Sequence, residues 1–218
     1  MHDLVIVGCS GHGREVLDAV RAANAHLARW NVLGFVDDAP THPDRLSRLG
    51  INVLGDTEWL THQTCDYILG IGSAEIRARL DRRLSDAGLR AAVVVAPSTH
   101  VGADCNLAPG VTVFGQSTIT TNVTLGRHVH VNVGCSVQHD TVVGDHVQIS
   151  PGVLINGDCV IGDRVFIGTG AVVTRGCSVG ADAVIGAGAV VLSDVAPGAR
   201  AFGIPARDRS GGSAPVAP

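Results

Sequence analysis

The sequence contains no lysine; all 16 of its basic residues are arginines. Mechanisms that require a lysine amine are thereby excluded, among them Schiff-base chemistry, a Walker A phosphate lysine and the β3 lysine of protein kinases. Aromatic residues are scarce, with two Trp, one Tyr and four Phe among 218 residues, and there is a single Met. A core must therefore come from Val, Ile, Leu and Ala. With 28 Gly, that composition points to thin, regular β layers rather than a helical bundle. No apolar run approaches the roughly 18 residues of a membrane span. The start, Met1-His2-Asp3, lacks the basic flank, apolar stretch and cleavage site of a signal peptide. The expectation is a cytoplasmic chain whose six cysteines are reduced. No CxxC occurs, which argues against zinc ribbons and thioredoxin-like sites. A formal net charge of −4 offers no basic footprint for nucleic acid or an anionic membrane.

What is present falls into two halves with different periods. From Leu4 to about Pro97, short apolar runs alternate with helical stretches. Leu4–Val7 reads as a buried strand closed by Gly8-Cys9-Ser10-Gly11-His12-Gly13, and a helix follows from Arg14 to about Ala28. Val32–Val36 is a second strand, ending in Asp37-Asp38. Residues 39–50 read as loop. A short strand near Val53-Leu54 precedes a short helix near Thr57–Thr61. Tyr67–Ile71 is another strand, followed by Gly72-Ser73. Ala74–Ala87 is the clearest helix, with Ile76, Leu80 and Leu84 as its apolar stripe and Arg77, Arg79, Arg82 and Arg83 read as its solvated face. Ala91–Ala96 is the last strand. Alternating β and α imply a small parallel sheet with helices on its faces.

At Val101 the period becomes six. Every sixth residue from Val101 to Val191 is Val, Ile or Leu, sixteen times without a gap. Gly follows at 102, 126, 144, 162, 168, 180 and 186, where it is read as helping the chain turn. The fourth residue after each aliphatic is small or β-branched. This is the pattern of a triangular solenoid: each hexad forms one face, three hexads form one coil, and coils stack at about 4.8 Å. Cys105, Cys135, Cys159 and Cys177 occupy the small inward slot, where a free thiol behaves as a small hydrophobe. The expected architecture is an α/β domain with a small Rossmann-like parallel sheet over residues 1–97, a parallel β-helix over 98–207 and a disordered tail over 208–218.

The hexads followed by Gly203-Ile204-Pro205-Ala206-Arg207 resemble the left-handed β-helix acyltransferases. Together with Gly8-Cys9-Ser10-Gly11-His12-Gly13, Asp37-Asp38 and Gly70-Ile71-Gly72-Ser73, they resemble the sialic-acid O-acetyltransferase-like and bacillosamine-pathway N-acetyltransferase family, which modifies sugars or nucleotide-linked amino sugars. The resemblance runs to about residue 207. It implies a left-handed helix, a homotrimer and acetyl-CoA bound in a groove between neighbouring subunits.

Acyl transfer from a thioester needs a base for the acceptor proton and donors for the oxyanion, and requires no metal. His139 stands third in its hexad, where side chains point outward. Asp140 adjoins it and can orient the ring. One coil on, Gly157 leaves open space for a ligand. Read from spacing alone, His139 is either a base or an exposed surface histidine. The resemblance makes it the general base of a His-Asp pair, with Asn132, seven residues before, matching an Asn that holds or polarises the reacting groups. The resemblance further assigns acetyl-CoA to positions stacked below the base, here Gln148, Gly157, Thr169 and Ala187. Gln148 departs from the closest bacillosamine-pathway members, which carry a titratable His there. Arg207 matches the segment beside the CoA nucleotide.

Gly8-x-x-Gly11-x-Gly13 ends a strand and opens a helix, so its backbone can approach a phosphate. By itself the motif is equally a structural tight turn, or the loop of a dinucleotide-binding dehydrogenase. The resemblance makes it the sugar-nucleotide site, with Ser10, Gly11, His12, Asp37, Asp38 and Gly72 at the contact positions. Asp38 also suits a plain turn before Ala39-Pro40. His128, His146, Arg164 and Asp182 share one column, readable as an anion-binding ridge, a subunit contact or a surface ladder. His100 and His130 give no signal. A metal site of the γ-carbonic-anhydrase type would need convergent histidines, usually including a His-x4-His pair, which is absent, so no metal is expected. The expected function is an acetyl-CoA-dependent N-acetyltransferase acting on a nucleotide-linked amino sugar. The alternatives are O-acetylation of a sugar hydroxyl and a trimeric scaffold without activity. A solenoid-fused nucleotidyltransferase would use lysines and is excluded.

Overall fold

A computed structural model of the protein describes residues 1–41 and 43–210. The first half is built from β1 (His2–Val7), α1 (Gly11–His26), β2 (Trp30–Val36), α2 (Pro43–Arg48), β3 (Val53–Gly55), α3 (Thr57–Thr61), β4 (Asp66–Leu69), α4 (Ala74–Asp86) and β5 (Arg90–Ala91). The five strands form one sheet in the order β3-β2-β1-β4-β5, with every neighbouring pair parallel. The order reverses between β1 and β4, so a crevice opens at their carboxyl ends, where doubly wound sheets take ligands. Residues 39–50 are not all loop, since α2 lies within them. It is a single short helix whose Leu46 is buried against the sheet core, and six residues give too little periodicity to show in the sequence.

The expected strand Ala91–Ala96 is divided. Arg90–Ala91 pairs with β4, whereas Val94–Val95 pairs with Thr112–Val113 and is the first rung of the β-helix. Six consecutive apolar residues cannot reveal where one sheet ends and another begins. The two halves also share a core: Val94 and Phe114 of the helix pack with Leu4, Ile6, Val16, Leu17 and Val20.

The second half is a left-handed parallel β-helix with three flat faces. The first face carries Val94–Val95, Thr112–Val113, His130–Val131, Gln148–Ile149, Phe166–Ile167, Val184–Ile185 and Arg200–Phe202. The second carries six rungs from His100–Val101 to Val190–Val191, and the third five rungs from Asn106–Leu107 to Ser178–Val179. Register partners lie 18 residues apart up to Val184–Ile185 and Val190–Val191, as in Ser136↔Leu154 and Val142↔Val160; in the last coil, past the hexads, Val184 pairs with Arg200 and Ile185 with Ala201. The hexad aliphatics from Val113 to Val191 are all buried and make one continuous column. Cys135, Cys159 and Cys177 are buried with them. Each thiol donates to a backbone carbonyl of the following hexads, as Cys135 Sγ does to Ser150 O.

Glycine serves the corners differently from the sequence reading. The residue directly after each aliphatic does not make the turn. A Cβ at Gly162 would stand 2.5 Å from the Ala181 backbone nitrogen of the next coil, so glycine there permits close stacking. The turn is made two residues later, where Asn122, His128, Asp140 and Asp158 adopt φ of 53°, 49°, 60° and 59°. This is the left-handed region, which Asn and Asp tolerate better than most residues.

Beyond the hexads, Arg207–Asp208 pairs antiparallel with Arg200–Phe202 and Arg209 N donates to Arg200 O. Residues 208–210, expected in the tail, are therefore held to the last coil, and 211–218 lie outside the described residues. Among the described residues no helix is long and apolar enough to cross a membrane.

Candidate active site

The corner between the second and third faces carries His139. Nδ1 lies 2.7 Å from Asp140 Oδ2, which makes Nδ1 the donor to the carboxylate and leaves Nε2 with its lone pair. The other Asp140 oxygen, Oδ1, accepts from Asn122 Nδ2 at 2.7 Å. Asn122 sits 18 residues earlier, at the same turn of the preceding coil. First this bond and then the His139 bond hold the Asp140 carboxyl below its ordinary range. One coil onward, Asp158 is paired with Arg175 at 2.6 Å. His139, Asp140 and Asp158 offer ligand atoms within 4.8 Å of one another, but Asn122, His139 and Arg175 already engage the two carboxylates.

Gly157 does not leave free space for a ligand. The His139 ring fills it: a Cβ at Gly157 would lie 2.5 Å from Cε1 and Nε2. The remaining expected residues are divided by the geometry. Asn132, Thr169 and Ala187 follow rungs of the first face and lie on the corner between the first and second faces. Of the four acetyl-CoA positions, only Gly157 stands in the His139 column. Asn132 Oδ1 accepts from Val133 N at 2.7 Å and has no hydrogen bond to His139 among the described residues. Gln148 lies on the first face, 5% exposed, where its Oε1 accepts from Arg77 at 2.9 Å. Arg207 is exposed and lines a cavity of about 250 Å³ beside the last coil with Asp194 and Asp208.

The α/β half has its own cavity, of about 280 Å³, at the β1/β4 switch point. Ser10, Asp37, Asp38 and Gly72 all line it, with Thr57 and Arg79. Ser10 caps α1 without using its side chain. Gly8, Gly13 and Gly70 pack backbone against backbone, and a Cβ at Gly13 would lie 1.9 Å from Gly8 O. Gly11 borders this loop at the start of α1. The two aspartates hold the rim. Asp37 accepts from Cys9 N and Ala39 N; burial works to raise its pKa, but these donors leave it below the ordinary range. Asp38 accepts from the Thr57 backbone nitrogen and hydroxyl.

His12 points away from this cavity. Its Nε2 lies 2.8 Å from His130 Nδ1, and its Nδ1 3.1 Å from Glu15. The column of His128 and His146 is neither ridge nor surface ladder at that end. Both are buried beneath α4, with parallel rings 5.8 Å apart. Asp81 of α4 accepts from Tyr67 Oη at 2.8 Å and from Arg127 Nε at 3.0 Å, and lies 3.0 Å from His128 Nε2. Arg164 does pair with Asp182 on the surface. Arg77, expected on the solvated face of α4, is fully buried. Helical spacing placed it beside the Ile76 stripe, but α4 is covered from two sides, by the sheet and by the β-helix. Sequence reasoning also missed Asn122, although the 18-residue period places it at the turn of Asp140.

A parallel switch-point cavity fused to a hexapeptide β-helix with an outward His-Asp pair defines a class, that of CoA-dependent hexapeptide acyltransferases with an α/β sugar-binding half. Residues 3–84 match the PglD N-terminal domain and residues 158–193 the bacterial transferase hexapeptide (six repeats). A sequence comparison with curated proteins returns no match. Among solved structures, perosamine N-acetyltransferase from Caulobacter crescentus, in complex with CoA and GDP-perosamine, is 30% identical, covering 96% of this chain and 98% of that one with a TM-score of 0.87. The acetyltransferase domain of PglB from Neisseria gonorrhoeae, in complex with acetyl coenzyme A, is 27% identical over 95% of this chain and 98% of that one, with a TM-score of 0.86. WeeI from Acinetobacter baumannii is 28% identical over 95% and 100%, with a TM-score of 0.82. The chain belongs to this family of CoA-dependent sugar N-acetyltransferases.

Proposed function

We propose that the protein transfers the acetyl group of acetyl-CoA to the amino group of a nucleotide-linked amino sugar. The carrying observation is the His139 Nδ1 to Asp140 hydrogen bond, which presents Nε2 as a base. The acceptor nitrogen attacks the thioester carbonyl as Nε2 takes its proton. The tetrahedral intermediate then collapses with cleavage of the C–S bond, and the proton passes from the imidazolium to the departing thiolate. The nucleotide occupies the cavity of Ser10, Asp37, Asp38 and Gly72, with Gly11 and the start of α1 facing its phosphates.

The active form is a homotrimer. Exposed aliphatics flank the His139 corner on both sides: Leu154 on the second face, 43% exposed, and Val142 and Val160 on the third, at 48% and 52%. Such apolar ladders favour burial against a second copy. Asn132, Thr169 and Ala187 lie on the far corner of the second face, so a neighbouring copy supplies them to His139, and acetyl-CoA lies in the shared groove. The labour is divided between the halves: the α/β half, ending at Arg90–Ala91, holds the sugar nucleotide, and the β-helix that starts at Val94–Val95 performs acyl transfer in the cytoplasm.

The test is CoA thiol release with nucleotide-linked amino sugars and, in parallel, free hydroxyl sugars. His139→Ala is expected to lower transfer to the amines by about 100-fold or more with the fold retained. Near-normal transfer by the folded variant ends the assignment, and acetylation of the hydroxyl sugars alone replaces N- with O-transfer.

A further inference from the structure

The guanidinium of Arg77 has no carboxylate partner among the described residues, although it is completely buried. Nη1 donates to the carbonyls of Ile71 and Gly72, at 2.9 and 2.8 Å, and to Gln148 Oε1 at 2.9 Å. Nη2 donates to the His146 carbonyl at 2.6 Å, and Nε is unpartnered. Burial draws its pKa down to about 9. A charge held by neutral acceptors in such a place is unfavourable compared with an apolar side chain of equal volume. Simple packing does not account for it.

What the guanidinium does is join two particular segments. The Gly70-Ile71-Gly72 loop forms one wall of the switch-point cavity, and Gln148 belongs to the first face of the β-helix. The opposite wall is tied in the same manner, because His12 of the Gly8–Gly13 loop meets His130. His130 and Gln148 are register partners on adjacent rungs. Both loops of the cavity thus hang on two neighbouring residues of a single sheet. Two residues beyond His130 on that rung stands Asn132.

We propose that Arg77 is a positioning residue: by tying Ile71 and Gly72 to Gln148 and His146, it fixes one wall of the cavity and so sets the affinity for the nucleoside diphosphate, without touching acetyl-CoA. This rests on reading that cavity as the nucleotide site.

The full-length protein is titrated calorimetrically with GDP, UDP, dTDP and CoA. Arg77→Met is expected to weaken binding of whichever diphosphate the unaltered protein takes by about tenfold, because binding must then order a wall that the guanidinium no longer holds in place. The CoA Kd stays within about twofold, since the acyl-transfer corners do not involve this side chain. Arg77→Lys restores part of the affinity, because an ammonium reaches fewer of the four acceptors. Gln148→Leu, which keeps the arginine and removes one acceptor, weakens diphosphate binding by about threefold and serves where Arg77→Met does not fold. Unchanged diphosphate affinity in the folded variants overturns the proposal, as does loss of diphosphate and CoA binding in parallel. If the unaltered protein binds CoA but none of the three diphosphates, the reading of the cavity fails, and the role of Arg77 fails with it.

Discussion

The imidazole of His139 lies on Gly157, filling the space that a side chain there would occupy, with Cε1 and Nε2 both 2.5 Å from the position of a Cβ. The contact crosses from one coil to the next, because 139 and 157 are 18 residues apart. Asp140 fixes the same ring from its Nδ1 side. The base is therefore held between a carboxylate and a bare backbone.

Gly157→Ala puts this arrangement to the test. The methyl group displaces the ring, since a side chain yields more readily than the coil backbone. The expected result is a fall in kcat of about 10- to 100-fold, in line with losing a positioned base, while Tm moves by no more than a few degrees. Unaltered kcat in Gly157→Ala shows that the ring orientation seen here is not the productive one.

Two glycines of the helix separate close approach from turning. Gly162 faces only backbone of the next coil, at 2.5 to 3.0 Å from a built Cβ, whereas Gly152 has φ of 70° and nothing within 4 Å. Gly162→Ala is expected to destabilise by about 2–4 kcal/mol through overpacking. Gly152→Asn stays within about 1 kcal/mol, since Asn tolerates the left-handed region. Urea denaturation of both variants gives the order directly.

The seam between the halves makes the protein sensitive to acid. Burial lowers the pKa of His130 and His128, draws His146 down to about 4, and lowers that of His12. Each is thus lower in the folded chain than in the unfolded chain, where it is about 6.5. The unfolded chain takes up protons first as pH falls, so stability is lost from about pH 6.5 toward 4. Asp81 acts in the same sense at lower pH. Burial raises its pKa, but His128, Arg127 and Tyr67 together hold it far below the ordinary range, so its contribution disappears as the carboxylate protonates. The outcome expected is a Tm that drops between pH 7 and pH 5, less steeply in His146→Gln. A pH-independent Tm over that interval contradicts neutral imidazoles at the seam.

Val160→Asp tests the assembly. The substitution places a charge in the exposed aliphatic ladder of the third face, where Val142 is its register partner. Sedimentation should show a smaller species than the unaltered protein, with transfer activity reduced at least about tenfold because a charge desolvated at an interface is strongly unfavourable. A variant that sediments like the parent places the subunit contact elsewhere.

Periodicity determined the solenoid and the outward direction of His139. Any aliphatic repeated every sixth residue fills the same prism, and any residue two positions later points away from it. The same arithmetic brings Asn122 to Asp140 and Gly157 to His139. It also shows that 132, 169 and 187 belong to a different corner from 139, a consequence of three hexads per coil that spacing alone made available. The N-terminal motifs were equally legible, because Gly8, Ser10, Asp37 and Gly72 each follow a strand of a parallel sheet, and the carboxyl ends of such strands meet at the switch point.

Tertiary structure decided the rest. Arg77, His128 and His146 read as surface residues because each is polar within a locally amphipathic or repetitive pattern, and local pattern reports only the face turned to the nearest core. Their burial comes from a second contact, the docking of α4 and α1 against one face of the β-helix, between residues as far apart as His12 and His130, 118 positions. Such a contact is carried by shape and by hydrogen bonds between distant segments, neither of which leaves a period in the sequence.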